Sequence, residues 1–219
     1  MIFAAHQPGL MPYTGLFQKL LRADVFGLMV DVQFVKQDYH HRVKVGSDSN
    51  ASWLTIPVNA PYQCSIAAVT IAEHYSPAKM LGKLEHTYNK SLYWKDYKSE
   101  LSTVFETFRP GDRLVDLNFQ LLSFLMGVFD IETTLVEVYK TSPNASLNLV
   151  TWTRENTCSV YLSGSGAKAY LNEPAFRAEN LEVKWHVPSL REGLETVSVV
   201  SGLFEYGPSY LRDLESSSV

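Results

Sequence analysis

Residues 2–42, IFAAHQPGLMPYTGLFQKLLRADVFGLMVDVQFVKQDYHHR, decide the fold. Residues 2–5 are a short, wholly apolar run, the pattern of a strand buried on both faces. His6-Gln7-Pro8-Gly9 stops it. Between Pro12 and Ala23 the spacing turns helical, with Leu16 and Leu20, and Phe17 and Leu21, four residues apart on one side. Residues 25–30 are again continuously apolar and end at Asp31. Strand, helix and strand within about thirty residues predict a βαβ unit, whose strands run parallel and whose crossover is right-handed. His6 and Gln7 then leave the carboxyl end of the first strand, and Asp31 and Gln33 that of the second. Open α/β sheets bind ligands along that edge, so these four polar side chains are expected to face one crevice.

Beyond this unit, residues 42–45 and 51–58 flank the turn-forming Gly46-Ser-Asp-Ser-Asn50 and read as a β-hairpin, with Pro57 placing the second arm toward an edge. Residues 65–72 are a further strand candidate. Ser76-Pro77 is an N-cap followed by proline at the first helical position. The helix it opens buries Met80, Leu81, Leu84 and Tyr88, with His86 on the opposite face. A second helix over 96–108 carries Tyr97, Leu101, Val104, Phe105 and Phe108 in one stripe. Pro110-Gly111 ends it, and Asp112 is expected to cap a third helix running to Val128. Residues 132–139 read as a strand and the polar stretch 141–148 as a linker. A second α/β stretch follows: a strand at 160–162 leading into Ser163-Gly-Ser-Gly166, a helical turn at 167–171, a strand at 181–187, and a helix over 196–206. Residues 216–219 are expected to fray. The expected fold is α/β: a mixed, partly parallel sheet starting with the βαβ unit and covered by a layer of helices. It divides into an N-terminal part over 1–140 and a smaller C-terminal α/β part over 149–215, packed together as one compact unit.

The composition bounds the function. Hydrophobic residues make up 46% and charged residues 19%, which excludes general disorder. A net charge of −4 supplies no global positive field for a nucleic-acid backbone, so such binding would need a local patch. Tyr88, Lys90, Tyr93, Trp94, Lys95, Tyr97 and Lys98 interleave in a way that can stack bases or sugar rings. The same residues fit an interhelical corner with Tyr97 in the core, and that reading weighs more. Cys64 and Cys158 show no metal spacing and read as free thiols of a reducing compartment. The N-terminus lacks a basic region and is broken by Pro8 and Pro12, so it is not a signal peptide. No apolar run approaches the ~20 residues of a membrane span. A cytoplasmic protein with no membrane contact is expected.

His6 is the side chain best poised for proton transfer near neutral pH, although a histidine after a strand also serves as a structural hydrogen-bonder. Asp31 and His41 complete the catalytic candidates, Asp31 as a partner for an amino group or for the His6 ring. Gln7 and Gln33 can orient a carbonyl or sugar hydroxyl. Arg42, with Lys36 beside it, can hold a carboxylate or phosphate. Ser163, Gly164 and Gly166 form a loop whose amides can cradle an anion, or a plain tight turn. A metal set of His6, Asp31 and His40 or His41 has suitable ligand types, but neighbouring histidines rarely reach one ion, so no metal is expected. Gly15 at the helix start offers a nucleotide-phosphate reading by analogy alone. No cofactor is readable.

At His6-Gln7-Pro8, Pro12, Gly15, Phe17, Ala23-Asp24, Asp31-Val32-Gln33-Phe34 and Trp53-Leu-Thr-Ile-Pro-Val58 the chain resembles the WbqC-like protein family. The resemblance continues over residues 84–88, at Tyr93, and more faintly at 161–166 and Gly207-Pro208. It departs at His41-Arg42, where the family usually has Asn-Arg, and at Glu205-Tyr-Gly-Pro208, where the family has Asn-Cys-Gly-Pro. An Asp-Arg pair associated with the helix before the glycine loop is not evident near residues 145–153. The resemblance implies a bacterial or phage protein that transfers an amino acid, suspected to be glycine, onto an amino sugar or other activated acceptor of a surface polysaccharide such as O-antigen. The implied partner is a small-molecule or sugar-nucleotide substrate. The rival readings are an amino-acid transferase acting on nucleotides or modified DNA bases, and a non-catalytic sugar- or nucleotide-binding module.

Overall fold

The two apolar runs do pair in parallel. In the computed structural model, which describes residues 1–216, β1 (Ile2–His6) lies beside β2 (Val25–Met29) with His6 opposite Leu28. The crossover between them is α1 (Thr14–Leu21). The chain next makes an antiparallel hairpin of β3 (Arg42–Val45) and β4 (Ser52–Thr55), then a two-residue pairing of β5 (Val58–Asn59) with β6 (Thr70–Ile71). Three helices follow: α2 (Pro77–Tyr88), α3 (Trp94–Thr107) and α4 (Leu114–Val128). The remaining elements are β7 (Thr134–Val138), α5 (Ala145–Glu155), β8 (Val160–Gly164), α6 (Glu173–Ala178), β9 (Glu182–His186), α7 (Val199–Tyr206) and α8 (Tyr210–Ser216).

The main sheet has the order β7-β2-β1-β8-β9, and every neighbouring pair in it is parallel. A sheet with both faces covered needs strands apolar on both sides, which is why β1 and β2 read as continuous hydrophobic runs. Ala4, Phe26 and Leu162 pack with α1, α4, α7 and α8 in one core. Phe3, Ala5, Val25 and Tyr161 pack with α5 and α6 in another. Right-handed crossovers demand this division. The steps β1→β2→β7 move one way across the sheet and β8→β9 the other, so their helices fall on opposite faces. Gly27 sits where a Cβ would stand 2.7 Å from Phe3 Cζ, so the central strand needs glycine there to seat that ring. The division near residue 140 runs through this sheet, with β1, β2 and β7 before it and β8 and β9 after it.

Several local expectations give way. Residues 65–72 hold a 3₁₀ turn and only the two strand residues of β6. Asp112 accepts the Arg109 backbone N–H at 2.7 Å, closing the turn before α4, whose N-cap is Arg113. The stretch 141–148 is no linker. Asn144 accepts from the N–H groups of Ser146 and Leu147, capping α5, and Asn148 folds back to accept from Thr141 and Ser142. The proposed stacking patch is split: Tyr88 and Trp94 are buried, Tyr93 and Tyr97 half-buried, Lys90 and Lys95 exposed, and Lys98 pairs with Glu85. Of the residues expected to fray, Ser216 ends α8 and 217–219 lie outside the described residues. No described helix is long and apolar enough to cross a membrane.

Candidate active-site crevice

The order in which strands are added across the sheet reverses between β1 and β8, and an open parallel sheet splits apart outside the carboxyl ends of its strands at such a point. A cavity of about 840 Å³ opens there, a size suited to a small organic ligand. The ends of β1 and β8 supply His6, Gln7, Ser163 and Gly164. One wall comes from the loop before α1 and from Gly15, Leu16 and Lys19; the other from Asn148, Leu149 and Trp152 of α5. The loop after β1 is tied from both sides. Leu10 N donates to Tyr39 O at 3.0 Å, Val199 N to Pro12 O at 2.9 Å, and Ser198 Oγ to Met11 O at 2.6 Å. These bonds hold buried Met11 at φ 39°, in the left-handed region that non-glycine residues seldom occupy.

Asp48 straps the rim over residues 193–197. Its N–H donates to Gly193 O at 2.8 Å, and its carboxylate accepts from Glu195 N at 2.8 Å, Thr196 N at 3.0 Å and Thr196 Oγ1 at 2.5 Å. In Asp48→Ala the three carboxylate bonds to Glu195 and Thr196 are lost, while the backbone bond to Gly193 O and the sheet stay. Amide exchange of Glu195 and Thr196 should then rise about tenfold, with strand amides unchanged.

His6 has a defined tautomer. Its Nδ1 lies 2.8 Å from the Gln7 carbonyl oxygen, which can only accept, so Nδ1 carries the hydrogen. Burial, then the nearby Lys19 ammonium, push its pKa down to about 4. At neutral pH the ring is therefore uncharged, and Nε2 keeps a free lone pair with no hydrogen bond to a described residue. Tyr13 stands edge-on to the ring, with centroids 6.4 Å apart.

Lys19 was not legible as a site residue. It belongs to α1, is 7% exposed, and its Nζ donates to Ala5 O at 2.9 Å beneath the cavity. Burial pulls its pKa down to about 8. Among the described residues no carboxylate lies within 4.0 Å of this ammonium. The only sequence signal was a lysine four residues after Gly15, between Gln18 and Leu20 in an otherwise apolar helix.

The expected site residues separate into two groups. His6, Gln7, Ser163, Gly164 and Gly166 meet in the crevice. Asp31, Gln33, Lys36, His41 and Arg42 do not line it. After Val30 the backbone is captured by the neighbouring loop, with Ile66 N donating to Val32 O and Phe34 N to Cys64 O, both at 2.9 Å. The segment so held presents Val32, Asp38, Tyr39 and Val43 to the cavity in place of those five residues. Asp31 accepts the Lys140 N–H at 2.5 Å and so fixes the segment whose Lys140 side chain reaches the rim. Both His41 nitrogens face carbonyl oxygens, Ile56 at 2.9 Å and Lys36 at 2.8 Å, a structural strut. The Arg42 guanidinium lies 4.3 Å over Trp53 and donates to Gln37 O. Gln33 is exposed and bridges Ser65, and Lys36 is exposed.

A doubly wound α/β protein with a ligand-sized crevice at its switch point is the class these features define. The chain belongs to the WbqC-like protein family, whose sequence model matches residues 7–198. It is 24% identical over 222 residues to the uncharacterized protein Rv1507c of Mycobacterium tuberculosis, an alignment covering 94% of this chain and 95% of that one. No solved structure matches it.

Proposed function

We propose that the protein is a transferase that places a small amino acid, glycine, onto an amino sugar or another activated acceptor in bacterial or phage glycan biosynthesis. One observation carries the reading: a neutral imidazole with its Nε2 lone pair unengaged, inside a ligand-sized crevice at the sheet's switch point. Nε2 takes the proton of the attacking amine as the new C–N bond forms, and the acceptor's or donor's leaving group departs with the bonding pair. An amine gains acidity as it acquires positive charge in that step, so a weakly basic imidazole suffices. Gln7, which makes no side-chain hydrogen bond to a described residue, orients a carbonyl or hydroxyl. Ser163, Gly164 and Gly166 supply a close backbone approach on the β8 side. Asp31 acts as a positioning residue through its hold on Lys140. Family membership supports the reading.

The test is mass spectrometry of candidate acceptors, nucleotide-linked amino sugars among them, incubated with the protein and glycine, with and without ATP. A glycine-bearing product is expected that depends on native protein. Acceptors bound but returned unmodified under every condition would instead make the chain a binding module.

A further inference from the structure

We propose that Lys19 is the anion-binding residue of the crevice, holding a carboxylate or phosphate oxygen of the substrate at the end of β1, next to His6. The inference rests on the transferase reading for the use of the cavity and adds the charge that the substrate must carry.

The geometry is unusual for a lysine. An ammonium has three donors, and here one is spent on Ala5 O at 2.9 Å. The face of Phe26, 5.6 Å away, gives a partial cation–π contact. No described carboxylate is within ion-pair reach, although the residue is buried. Burying a charge without a counter-ion is costly, and proteins keep such groups where a ligand completes the pair. Ala5 O holds Nζ at the strand end that also presents His6, and Lys19 lines the same cavity.

The surrounding charges leave this place open for an anion. Burial lowers the pKa values of His6 on β1 and His186 on β9, and the Lys19 charge lowers both further, after that of Arg22 in the case of His186. The His186 ring is engaged elsewhere, donating from Nε2 to Gly15 O at 3.2 Å. Asp38 and Glu195 line the cavity without pairing with Lys19, and Lys140 lies exposed at the rim. An anion seated on Lys19 would offset the Coulombic part of the His6 depression, the part that adds to burial. Substrate binding would thereby raise the basicity of the very group that takes the proton.

The probes are sulfate, for a phosphoryl group, and acetate, for a carboxylate, with binding followed by amide chemical shifts at constant ionic strength. Neither probe titrates between about pH 7 and about pH 10. In the parent protein, binding of at least one probe should fall tenfold or more over that range, breaking near pH 8, where Lys19 loses its proton. Lys19→Met should bind that probe at least about tenfold more weakly, Lys19→Arg should restore part of the affinity, and Lys95→Met, exposed and away from the cavity, should leave it within about threefold. Loss confined to acetate identifies a carboxylate, and loss confined to sulfate a phosphoryl group. The His6 midpoint, read from its ring protons, should also rise above about 4 in Lys19→Met. Equal affinity in Lys19→Met, or pH-independent binding in the parent, overturns the proposal. Should Lys19→Met fail to fold, the parent's pH profile decides alone. Binding is measured without turnover. Anion capture without glycine transfer therefore removes only the transferase reading, and transfer without Lys19-dependent binding removes only this one.

Discussion

His6→Gln should fold, and should lose glycine transfer by about 10²–10⁴-fold, the usual worth of a positioned acid–base group. The amide can keep a hydrogen bond to the Gln7 carbonyl but has no lone pair of imidazole basicity to replace Nε2. Two pH measurements separate a chemical role from a structural one. The first is kinetic. Because the free ring titrates at about 4, kcat/KM should show no acid limb near the ordinary histidine value of 6.5 and should fall only as the pH approaches about 4. The second is thermodynamic. The folded pKa lies below the unfolded one, so the unfolded chain binds the extra proton between them and stability rises with pH. His6 therefore costs the parent nothing above pH 6.5. As pH falls from 6.5 to about 4 it removes up to about 3 kcal/mol, and below that the loss is constant. His6→Gln should lack this slope in urea titrations. A variant that unfolds at neutral pH, or that keeps the parent's activity, would make His6 a structural residue.

The legible part of this molecule is the part written in local pattern. Two continuous apolar runs and one helix of i, i+4 leucines placed β1, α1 and β2 and put His6 and Gln7 at a strand's carboxyl end. The glycine-containing loop after β8 met them because β8 pairs in parallel beside β1, so both strands end at the same sheet edge. What stayed hidden depends on partners distant in sequence. Asp31 does end the second apolar run, but its neighbours Val32 and Phe34 hydrogen-bond to residues 64–66, and no periodicity predicts that pairing. Asn148 looked like linker polarity, yet it is buried because it satisfies the backbone of residues 141 and 142. Helix α5, and with it Trp152 in the cavity wall, went unseen because capping residues and linker residues are the same residues. Lys19 was masked by its own helix. A lysine beside leucines reads as a snorkelling surface residue until Ala5 O is placed opposite it.

Trp94→Ala should cost about 3–5 kcal/mol in urea unfolding, among the largest losses available from one truncation. Trp94 is 2% exposed, crosses the Phe204 ring at 89° with centroids 5.1 Å apart, and leans on Tyr88 at 6.4 Å. Tyr88 in turn packs edge-on to Phe204 at 4.8 Å and ties α7 to the hairpin through Ser201 Oγ at 2.7 Å and Gly46 N at 2.8 Å. Burial pushes the Tyr88 phenol up to about 12, so this polar knot stays neutral and hydrogen-bonded over any working pH. One ring removed from this cluster loosens α2, α3 and α7 together. The lysines interleaved with these aromatics belong to the surface instead. Lys98 meets Glu85 at 2.6 Å with both side chains nearly half exposed, and such pairs contribute little. Lys95→Ala combined with Lys98→Ala should move stability by less than about 0.5 kcal/mol. The contrast discriminates between functions as well as between packing accounts. A nucleic-acid face would need its aromatics outside, so it would show a small stability loss for Trp94→Ala and salt-sensitive DNA binding that the double lysine variant abolishes. A large loss with silent lysines makes these rings the joint between the helical layer and α7, whose preceding Ser198 donates to the carbonyl of buried Met11 in the loop after β1.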